Sequence, residues 1–394
     1  MIKRQAIPVF KELASQFKAV ALTGPRQSGK TTLAKMVFPK KPYVTLENPD
    51  EKNLALSDPR RFLSRFPKGA ILDEVQRAPE LFSYLQQILD EKKEKGLFIL
   101  SGSNNFSLLE NISQSLAGRV GYLELLPFSI AETESTPDYS GNLYDQIFFG
   151  GFPSIVFEKT KPRLWFPSYI RTYVERDVRQ IKNITSLHLF QRLLYLCAGR
   201  IGQQVNLSNL SIEVGMDYKT VQSWLGVMEA SYLIYFLPPY YKNFNKRIVK
   251  TPKLYFYDTG LACYLLGIKQ PDELMHHAHR GALFENLLIT ELLKNRFNNG
   301  DRSNLFYFRD STGNEIDVVI DEGKYLTAVE LKAGQTISGD YFKNLHYWKK
   351  LTGQKKGFVS QMSYIFFTSF QFSTLNSFMP AFFCSPAYNT NPFF

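Results

Sequence analysis

Residues 24–32 read GPRQSGKTT, a stretch that fits the phosphate-binding pattern G-x-x-x-x-G-K-[ST]. The apolar run FKAVALT precedes it and predicts a buried strand, and TTLAKMVF follows it and predicts a helix. A loop in this context directs backbone N–H groups at phosphates, so we expect Lys30 to reach the β- and γ-oxygens of ATP and Thr31 to ligate Mg²⁺. The residues predicted to contact the nucleotide are Gly24, Pro25, Arg26, Gln27, Ser28, Gly29, Lys30, Thr31 and Thr32.

Two further apolar runs end in polar side chains that belong beside such a loop. GAILDEVQ predicts a strand ending at Asp73, which would hold Mg²⁺, and Glu74, which would polarise the attacking water as general base. GLFILSGSNN predicts a third strand, after which Ser103 or Asn104 would sense the γ-phosphate from between the first two strands. An N-cap for a helix beginning near Phe106 is an equally open interpretation of that polar cluster.

Arg119 stands just before another predicted strand, in SLAGRVGYLELLPFS. An arginine at this point could reach the γ-phosphate of a neighbouring subunit as an arginine finger, which predicts a homo-oligomer. A surface ion pair explains the same spacing equally well.

Composition narrows the class of protein. A chain of 394 residues predicts two or three domains, and its net charge of +11 favours polyanionic partners. Its three cysteines are far apart in sequence, and the N-terminal MIKRQAIPVF has no signal-peptide core, so we expect a cytoplasmic protein without disulfides. No apolar span of 18 residues is present, which predicts that the chain does not enter a membrane.

The break GGFPSIV places the end of the first predicted domain at residue 150, and a second domain is expected over residues 151–270. YIRTYVERDVRQI, which follows, predicts a helix from which Arg171 or Arg176 could contact nucleotide. A charged helix face in water is the favoured interpretation of either arginine.

The sequence from Leu207 predicts helix, turn at Gly215, helix and strand, the rhythm of a winged helix with residues 218–229 as recognition helix. An acid-free stretch follows, in which cations alternate with aromatic side chains and could lie along a DNA backbone. Its cations are Lys242, Lys246, Arg247, Lys250 and Lys253, and its aromatics are Tyr240, Tyr241 and Phe244. The alternative is a winged helix used only for packing.

The third predicted domain spans residues 276–394 and has its own acidic pattern. GALFENLLITELLKNRF predicts an amphipathic helix that carries Glu285, and two or three strands follow it. Asp317, thirteen residues before Glu330 in the Glu-x-Lys pattern with Lys332, resembles the spacing of PD-(D/E)XK nucleases. Asp317 and Glu330 would then converge on one or two Mg²⁺ ions while Lys332 orients the attacking water, and Glu285 resembles an extra acidic ligand.

Two alternatives remain for this third domain. Its charges could lie at random on a surface hairpin, or it could be a degenerate nuclease fold that no longer cuts. Residues 357–394 contain twelve aromatic side chains and no charged one.

Taken in order, GPRQSGKTT, ILDEVQRAPE, ILSGSNN, SLAGRV, LLPFS and GGFPSIV resemble a large bacterial and archaeal group of AAA-type ATPases that carry a C-terminal domain of unknown function. The resemblance covers about residues 1–350. It implies a five-stranded parallel sheet with helices on both faces, ATP at the carboxyl ends of the strands, and a small helical lid after the core.

The predicted fold class is α/β: a P-loop, AAA-type parallel-sheet domain, then a helical lid and winged helix, then a restriction-endonuclease-like α/β domain. The predicted function is ATP binding and hydrolysis coupled to action on DNA, with a Mg²⁺-dependent nuclease-like domain. The alternatives are an ATP-driven DNA-binding switch and a regulatory or assembly protein, each with an inactive nuclease fold.

Overall fold

The computed structural model describes residues 2–102, 112, 115–134, 136, 141–174, 186–241, 249–334, 342–354 and 357–361. We refer to residues 2–134 as the N-terminal segment, 141–275 as the middle segment and 280–361 as the C-terminal segment. No helix within these described ranges is long and apolar enough to cross a lipid bilayer.

The N-terminal segment is built on a five-stranded parallel sheet in the order β2-β3-β4-β1-β5. Its strands are β1 (Ala19–Thr23), β2 (Tyr43–Thr45), β3 (Ile71–Asp73), β4 (Phe98–Ser101) and β5 (Val120–Glu124). The parallel five-stranded sheet implied by the resemblance is therefore confirmed. β4 lies between β1 and β3. The prediction placed the strand GLFILSGSNN, which contains β4, between these two strands.

Helices cover both faces of this sheet because its strands alternate their side chains between two cores. Ala19 and Ala21 of β1 belong to one apolar cluster, and Val20 and Leu22 belong to another. The helices of this segment are α1 (Ile7–Gln16), α2 (Lys30–Val37), α3 (Pro49–Ser57), α4 (Pro59–Ser64), α5 (Leu81–Glu91) and α6 (Ile130–Thr133), with a 3-10 turn at Val75–Arg77.

The middle segment begins with short helices around the GGFPSIV break. These are α7 (Leu143–Phe149), α8 (Pro153–Val156) and α9 (Pro162–Tyr169), followed by a π turn at Ile170–Val174. Arg171 lies exposed on that turn, and Arg176 lies outside the described residues. The exposure of Arg171 agrees with a charged helix face in water, and the interpretation of Arg176 stays a prediction.

A helix-turn-helix arrangement and a two-stranded sheet complete the middle segment. Its elements are α10 (Leu187–Ala198), α11 (Leu207–Val214), α12 (Tyr218–Ala230), β6 (Ile234–Leu237), β7 (Lys253–Phe256), α13 (Thr259–Leu265) and a 3-10 turn at Pro271–Met275. Gly215 ends α11 in a left-handed conformation, and the Asp217 carboxylate caps α12. The predicted recognition helix is thus α12, and β6 and β7 pair antiparallel behind it.

The C-terminal segment holds a four-stranded sheet in the order β11-β10-β9-β8. Its elements are α14 (Arg280–Asn298), β8 (Leu305–Arg309), β9 (Glu315–Asp321), β10 (Leu326–Lys332), α15 (Lys343–Thr352) and β11 (Gly357–Gln361). Two or three strands were predicted here, and the fourth, β11, comes from the start of the charge-free tail and pairs parallel with β10.

The prediction that α14 is amphipathic is wrong. Asn286, Thr290, Glu291 and Lys294 are buried along with its leucines, so nearly the whole circumference of the helix is covered. The reason is that α14 packs against β5, β7, β10, α7 and α13 at once. One apolar cluster accordingly runs from Leu126 at the end of the AAA-like sheet to Phe358 in β11.

Candidate functional site

The loop between β1 and α2 has the backbone of a phosphate cradle. Gly24, Gln27 and Gly29 have φ values of 138°, 60° and 93°, so the chain turns tightly before α2 begins at Lys30. A side chain at Gly24 is excluded, because its Cβ would lie 2.2 Å from the carbonyl oxygen of Leu125. The loop therefore presents its backbone, rather than side chains, to whatever it holds.

Lys30 lies across the mouth of this loop. The residue is 6% exposed, and its ammonium donates hydrogen bonds to the carbonyl oxygens of Gly24 at 2.8 Å and Pro25 at 2.7 Å. A phosphate oxygen is a better acceptor for an ammonium than a neutral carbonyl. The ammonium, the α2 amino end and the loop N–H groups thus fit the phosphates of a nucleotide.

Asp73 is the polar centre of the site. The hydroxyl of Thr31 donates to its Oδ2 at 3.0 Å, that of Tyr43 to the same oxygen at 2.8 Å, and that of Ser101 to Oδ1 at 2.5 Å. Thr31 and Asp73, both predicted to hold Mg²⁺, are therefore in direct contact. Sequence reasoning missed Tyr43 and Ser101, although both belong to the strands that flank β3.

Glu74, the predicted general base, is held in a strained conformation. Its φ of 54° is unusual for a residue with a side chain, and Gln76 Nε2 donates to its Oε2 at 2.6 Å. The carboxylate is 9% exposed at the end of β3. This geometry fixes a carboxylate next to Asp73, at the edge of the sheet where the loop lies.

Arg4 is a buried residue next to the phosphate loop that sequence reasoning missed. Its guanidinium donates to the carbonyl oxygens of Ser28 at 2.9 Å and Leu126 at 2.6 Å, and it pairs with Glu132 at 3.0 Å. Arg4 thus ties the phosphate loop to the chain that leaves β5. Of the other predicted contacts, Arg26 lies 3.8 Å from Glu47, Thr32 is exposed on α2, and Ser103 lies outside the described residues.

Arg119 forms a two-pronged ion pair with Asp90, at 2.6 and 2.9 Å. Val120, the next residue, pairs with Ala19 at the amino end of β1, whereas the phosphate loop follows its carboxyl end. Five strand residues separate the two ends by roughly 15 Å. Arg119 therefore lies at the opposite edge of the sheet from the phosphate loop of its own chain.

Glu124 is a further acidic residue near the phosphate loop, in addition to Asp73 and Glu74, and sequence reasoning missed it. It pairs in register with Thr23, directly before Gly24, and lies near the buried hydroxyls of Tyr232 and Tyr257. Burial raises the pKa of its carboxyl from the ordinary 4.5 to about 7. The hydroxyl of Tyr232 also donates to Thr23 at 3.2 Å, so the middle segment touches the strand that enters the loop.

The acidic residues of the C-terminal segment form a second candidate site around Lys332. Its ammonium lies 2.6 Å from Glu330 Oε2 and 3.5 Å from Asp317 Oδ2, and Asp317 accepts the N–H of Leu331 at 2.7 Å. Glu330 is fully buried, and its Oε1 accepts no hydrogen bond from any described residue. Burial, assisted by the charge of Asp317, raises the pKa of Glu330 to about 8.

Glu285 lies near Asp317 but has hydrogen-bond partners of its own. It accepts hydrogen bonds from the Tyr255 hydroxyl at 2.5 Å and from Lys253 at 3.3 Å, and burial raises its pKa. Among the residues that the structure describes, no three His, Cys, Asp or Glu side chains lie close enough to hold one metal ion. Asp317 and Glu330 are thus brought together, and a shared ion with Glu285 stays a prediction.

The predicted DNA-facing stretch needs a correction at Lys253. This residue is 4% exposed and pairs with Glu285 and, at 2.6 Å, with Glu315, so it cannot lie along a phosphate backbone in this conformation. Tyr240 is also buried, against Phe306 and Trp348. Lys250 and Tyr241 are exposed as predicted, and Lys242, Phe244, Lys246 and Arg247 lie outside the described residues.

Comparison with protein families gives three consecutive matches. Residues 16–134 match the family described as "AAA domain". Residues 140–272 and 280–374 match two families described as domains of unknown function, DUF8612 and DUF4143. Together with the loop geometry, the first match identifies the N-terminal segment as an AAA-type P-loop ATPase domain.

Two curated relatives are uncharacterized proteins from Mycobacterium bovis and Mycobacterium tuberculosis. Each is 29% identical over 341 residues, which is 85% of this chain and 75% of the relative. Similar solved structures include a Walker-type ATPase of Pyrococcus abyssi, with a TM-score of 0.43, 14% identity, and coverage of 66% of this chain and 95% of that one. A RuvB variant of Thermotoga maritima has a TM-score of 0.33, 17% identity, and coverage of 60% and 90%.

Glu124→Gln is expected to stabilise the protein more as the pH rises. A raised pKa means that the folded state holds this proton more tightly, so stability is lost as the pH climbs from about 4.5 to about 7. Between pH 5.5 and 8 the advantage of the variant over the parent should grow by about 2 kcal/mol in urea denaturation. The exposed Glu94→Gln serves as control, and a pH-independent difference would contradict the assignment.

Proposed function

We propose that this protein hydrolyses ATP in its AAA-type domain to act on DNA, and that its C-terminal segment cleaves that DNA with Mg²⁺. The observation that supports the second half is the contact of Asp317, Glu330 and Lys332 on neighbouring strands. A nuclease needs two acidic ligands and a cation beside the attacking water, and these three residue types supply them.

In the ATPase reaction, the residues of the loop would act on different atoms. Lys30 would leave the carbonyls of Gly24 and Pro25 and bind the β- and γ-oxygens, and Thr31 and Asp73 would hold Mg²⁺. Mg²⁺ supplies charge neutralisation of the phosphates when it is bound. Glu74, held by Gln76, would orient the attacking water and accept its proton.

Lys30→Ala is expected to abolish nucleotide binding, because it removes the cation that the loop holds in place. Glu74→Gln should keep binding but lower turnover on the order of a hundredfold or more, because the amide cannot accept the proton. Binding of a fluorescent ATP analogue and release of phosphate measure the two effects. The exposed Lys40→Ala is the control, and hydrolysis by Glu74→Gln at the parent rate would remove Glu74 as base.

We also infer a homo-oligomer in which Arg119 acts on the nucleotide of the neighbouring subunit. Its place at the far edge of the sheet supports action between subunits, since it is remote from its own phosphate loop. In such an assembly Asp90 would hold the guanidinium until a neighbour presents phosphates.

Arg119→Ala is therefore expected to be inactive as an ATPase alone and partly rescued on mixing with Lys30→Ala subunits. Asp90→Ala is the matched control, because it breaks the same ion pair and keeps the arginine. If the pair is only structural, Asp90→Ala will be as damaging as Arg119→Ala, and mixing will restore nothing at any ratio.

In the C-terminal site, Asp317 and Glu330 would hold the metal ion and Lys332 would orient the attacking water. The buried Oε1 of Glu330, which no described residue satisfies, is an oxygen that a cation would satisfy. Lys332 contacts both carboxylates, at 2.6 Å and 3.5 Å, and its single charge offsets only part of theirs. The set fits a divalent cation bound by oxygen ligands.

Asp317→Ala and Lys332→Ala are each expected to abolish Mg²⁺- or Mn²⁺-dependent DNA cleavage without loss of ATPase activity, because the phosphate loop lies in another segment. Nicking of supercoiled plasmid, with and without EDTA, measures cleavage, and phosphate release measures ATP turnover. Glu322→Ala, on the turn that follows β9, is the matched acidic control.

A second candidate function is an ATP-driven DNA-binding switch whose nuclease fold is inactive. It is favoured by the separation of Glu285, which pairs with Lys253 instead of joining the other carboxylates. Protein that binds DNA and hydrolyses ATP but never nicks, with Asp317→Ala behaving as the parent, would establish this reading. Absence of DNA binding would instead favour a regulatory or assembly protein.

A further inference from the structure

Lys253 is a buried cation that lies among the carboxylates of the C-terminal segment. Its ammonium is 2.6 Å from Glu315 and 3.3 Å from Glu285, and its side chain is 4% exposed. Asp317 lies two residues after Glu315 on the same strand, so the two carboxylates share one face of it. Lys253 is thus a desolvated ammonium paired with two carboxylates and close to a third.

This cation comes from a different segment than the carboxylates that surround it. Lys253 begins β7, whereas Glu285 lies on α14 and Glu315 and Asp317 lie on β9. The backbone around it is fixed by bonds from Gly202 N to Leu254 O at 2.8 Å and from Phe256 N to Asn286 Oδ1 at 2.8 Å. The ammonium is therefore placed by the fold and is not a mobile surface charge.

We propose that Lys253 is an internal counter-cation of the group formed by Glu285, Glu315 and Asp317, and that a divalent metal ion must displace it in order to use Glu285. This inference rests on the proposed metal site of the C-terminal segment. It explains why Glu285, predicted as a metal ligand, is bonded to a lysine and a tyrosine. It also assigns the middle segment a part in controlling the site.

The electrostatic reason is direct. An ammonium and a divalent ion repel each other strongly at the few ångströms that separate Lys253 from Glu285, because burial reduces screening. Removal of the ammonium would leave Arg309 on Glu315 and Lys332 on Asp317, but it would take from Glu285 the cation that pairs with it, and a metal ion could then supply the missing charge. Metal affinity should therefore rise when the lysine charge is removed.

The backbone that leads to Lys253 is hydrogen-bonded to the sheet of the C-terminal segment. Two stretches that flank residues 242–248 bond to β8: Tyr240 N to Tyr307 O at 2.7 Å, and Val249 N to Arg309 O at 3.0 Å. The second stretch leads within four residues to Lys253.

The test is titration of the full-length protein with Mn²⁺ alone, without DNA or nucleotide, by calorimetry and by electron paramagnetic resonance of free Mn²⁺. Lys253→Met, which keeps the length of the side chain without its charge, should bind Mn²⁺ about tenfold more tightly than the parent. Lys253→Arg and the exposed Lys250→Met should bind as the parent does. Asp317→Ala in the Lys253→Met background should reverse the gain.

Circular dichroism will show whether Lys253→Met folds. If it does not, the double variant Lys253→Met, Glu315→Gln, which removes one charge of each sign, is compared with Glu315→Gln alone. The double variant should show the same gain in Mn²⁺ affinity. Equal Mn²⁺ affinity of parent and Lys253→Met, both lost in Asp317→Ala, overturns the inference and leaves the metal site standing. If no variant binds Mn²⁺, the metal site of the proposed function is overturned, and so is the competition between Lys253 and the metal ion.

Discussion

The docking of α14 onto the AAA-type domain rests on two buried charges. Glu291 accepts the N–H of Ile130 at 2.8 Å, Lys294 donates to the carbonyl of Phe128 at 2.9 Å, and the two side chains pair at 2.8 Å. Removing one partner of such a pair leaves an uncompensated buried charge and typically costs about 3 to 5 kcal/mol. The helix is therefore held in one register against the chain that leaves β5.

Because α14 is fixed in position, it links the surroundings of the two candidate sites. Glu285 and Glu291 are six residues apart on the same helix, which corresponds to about 9 Å along its axis. One end of this short interval touches the chain that leaves the ATPase sheet, and the other end bears the carboxylate that Lys253 holds. A shift of α14 in response to nucleotide would therefore move the carboxylate of Glu285 directly.

Local patterns predicted the parts of the protein whose chemistry is local. β1, β3 and β4 come from continuous apolar runs, and the contact of Thr31 with Asp73 follows from the loop motif and the parallel order of the sheet. β2 has only three residues, too few for a period to show, and was missed. The Glu-x-Lys pattern likewise places Glu330 and Lys332 on one face of a strand, where they are in contact.

Long-range contacts explain what the sequence could not predict. Arg4 acts on residues more than 100 positions away, at Leu126 and Glu132, and nothing near it in sequence distinguishes it from a surface arginine. Lys253 sits in an acid-free stretch, which made it resemble a phosphate contact until the fold placed acids from two other elements around it. The covered circumference of α14 depends in the same way on neighbours from all three segments.

The contacts of β8 and β7 bear on how such a chain is assembled in evolution. The family matches change between residues 272 and 280, yet the backbone bonds of Tyr307 and Arg309 and the ion pairs of Lys253 cross that boundary. Recombination at this point would separate a lysine from its acids and a strand from its hydrogen-bond partners. The contacts of Lys253 with Glu285 and Glu315 therefore make the stability of the middle segment depend on that of the C-terminal segment.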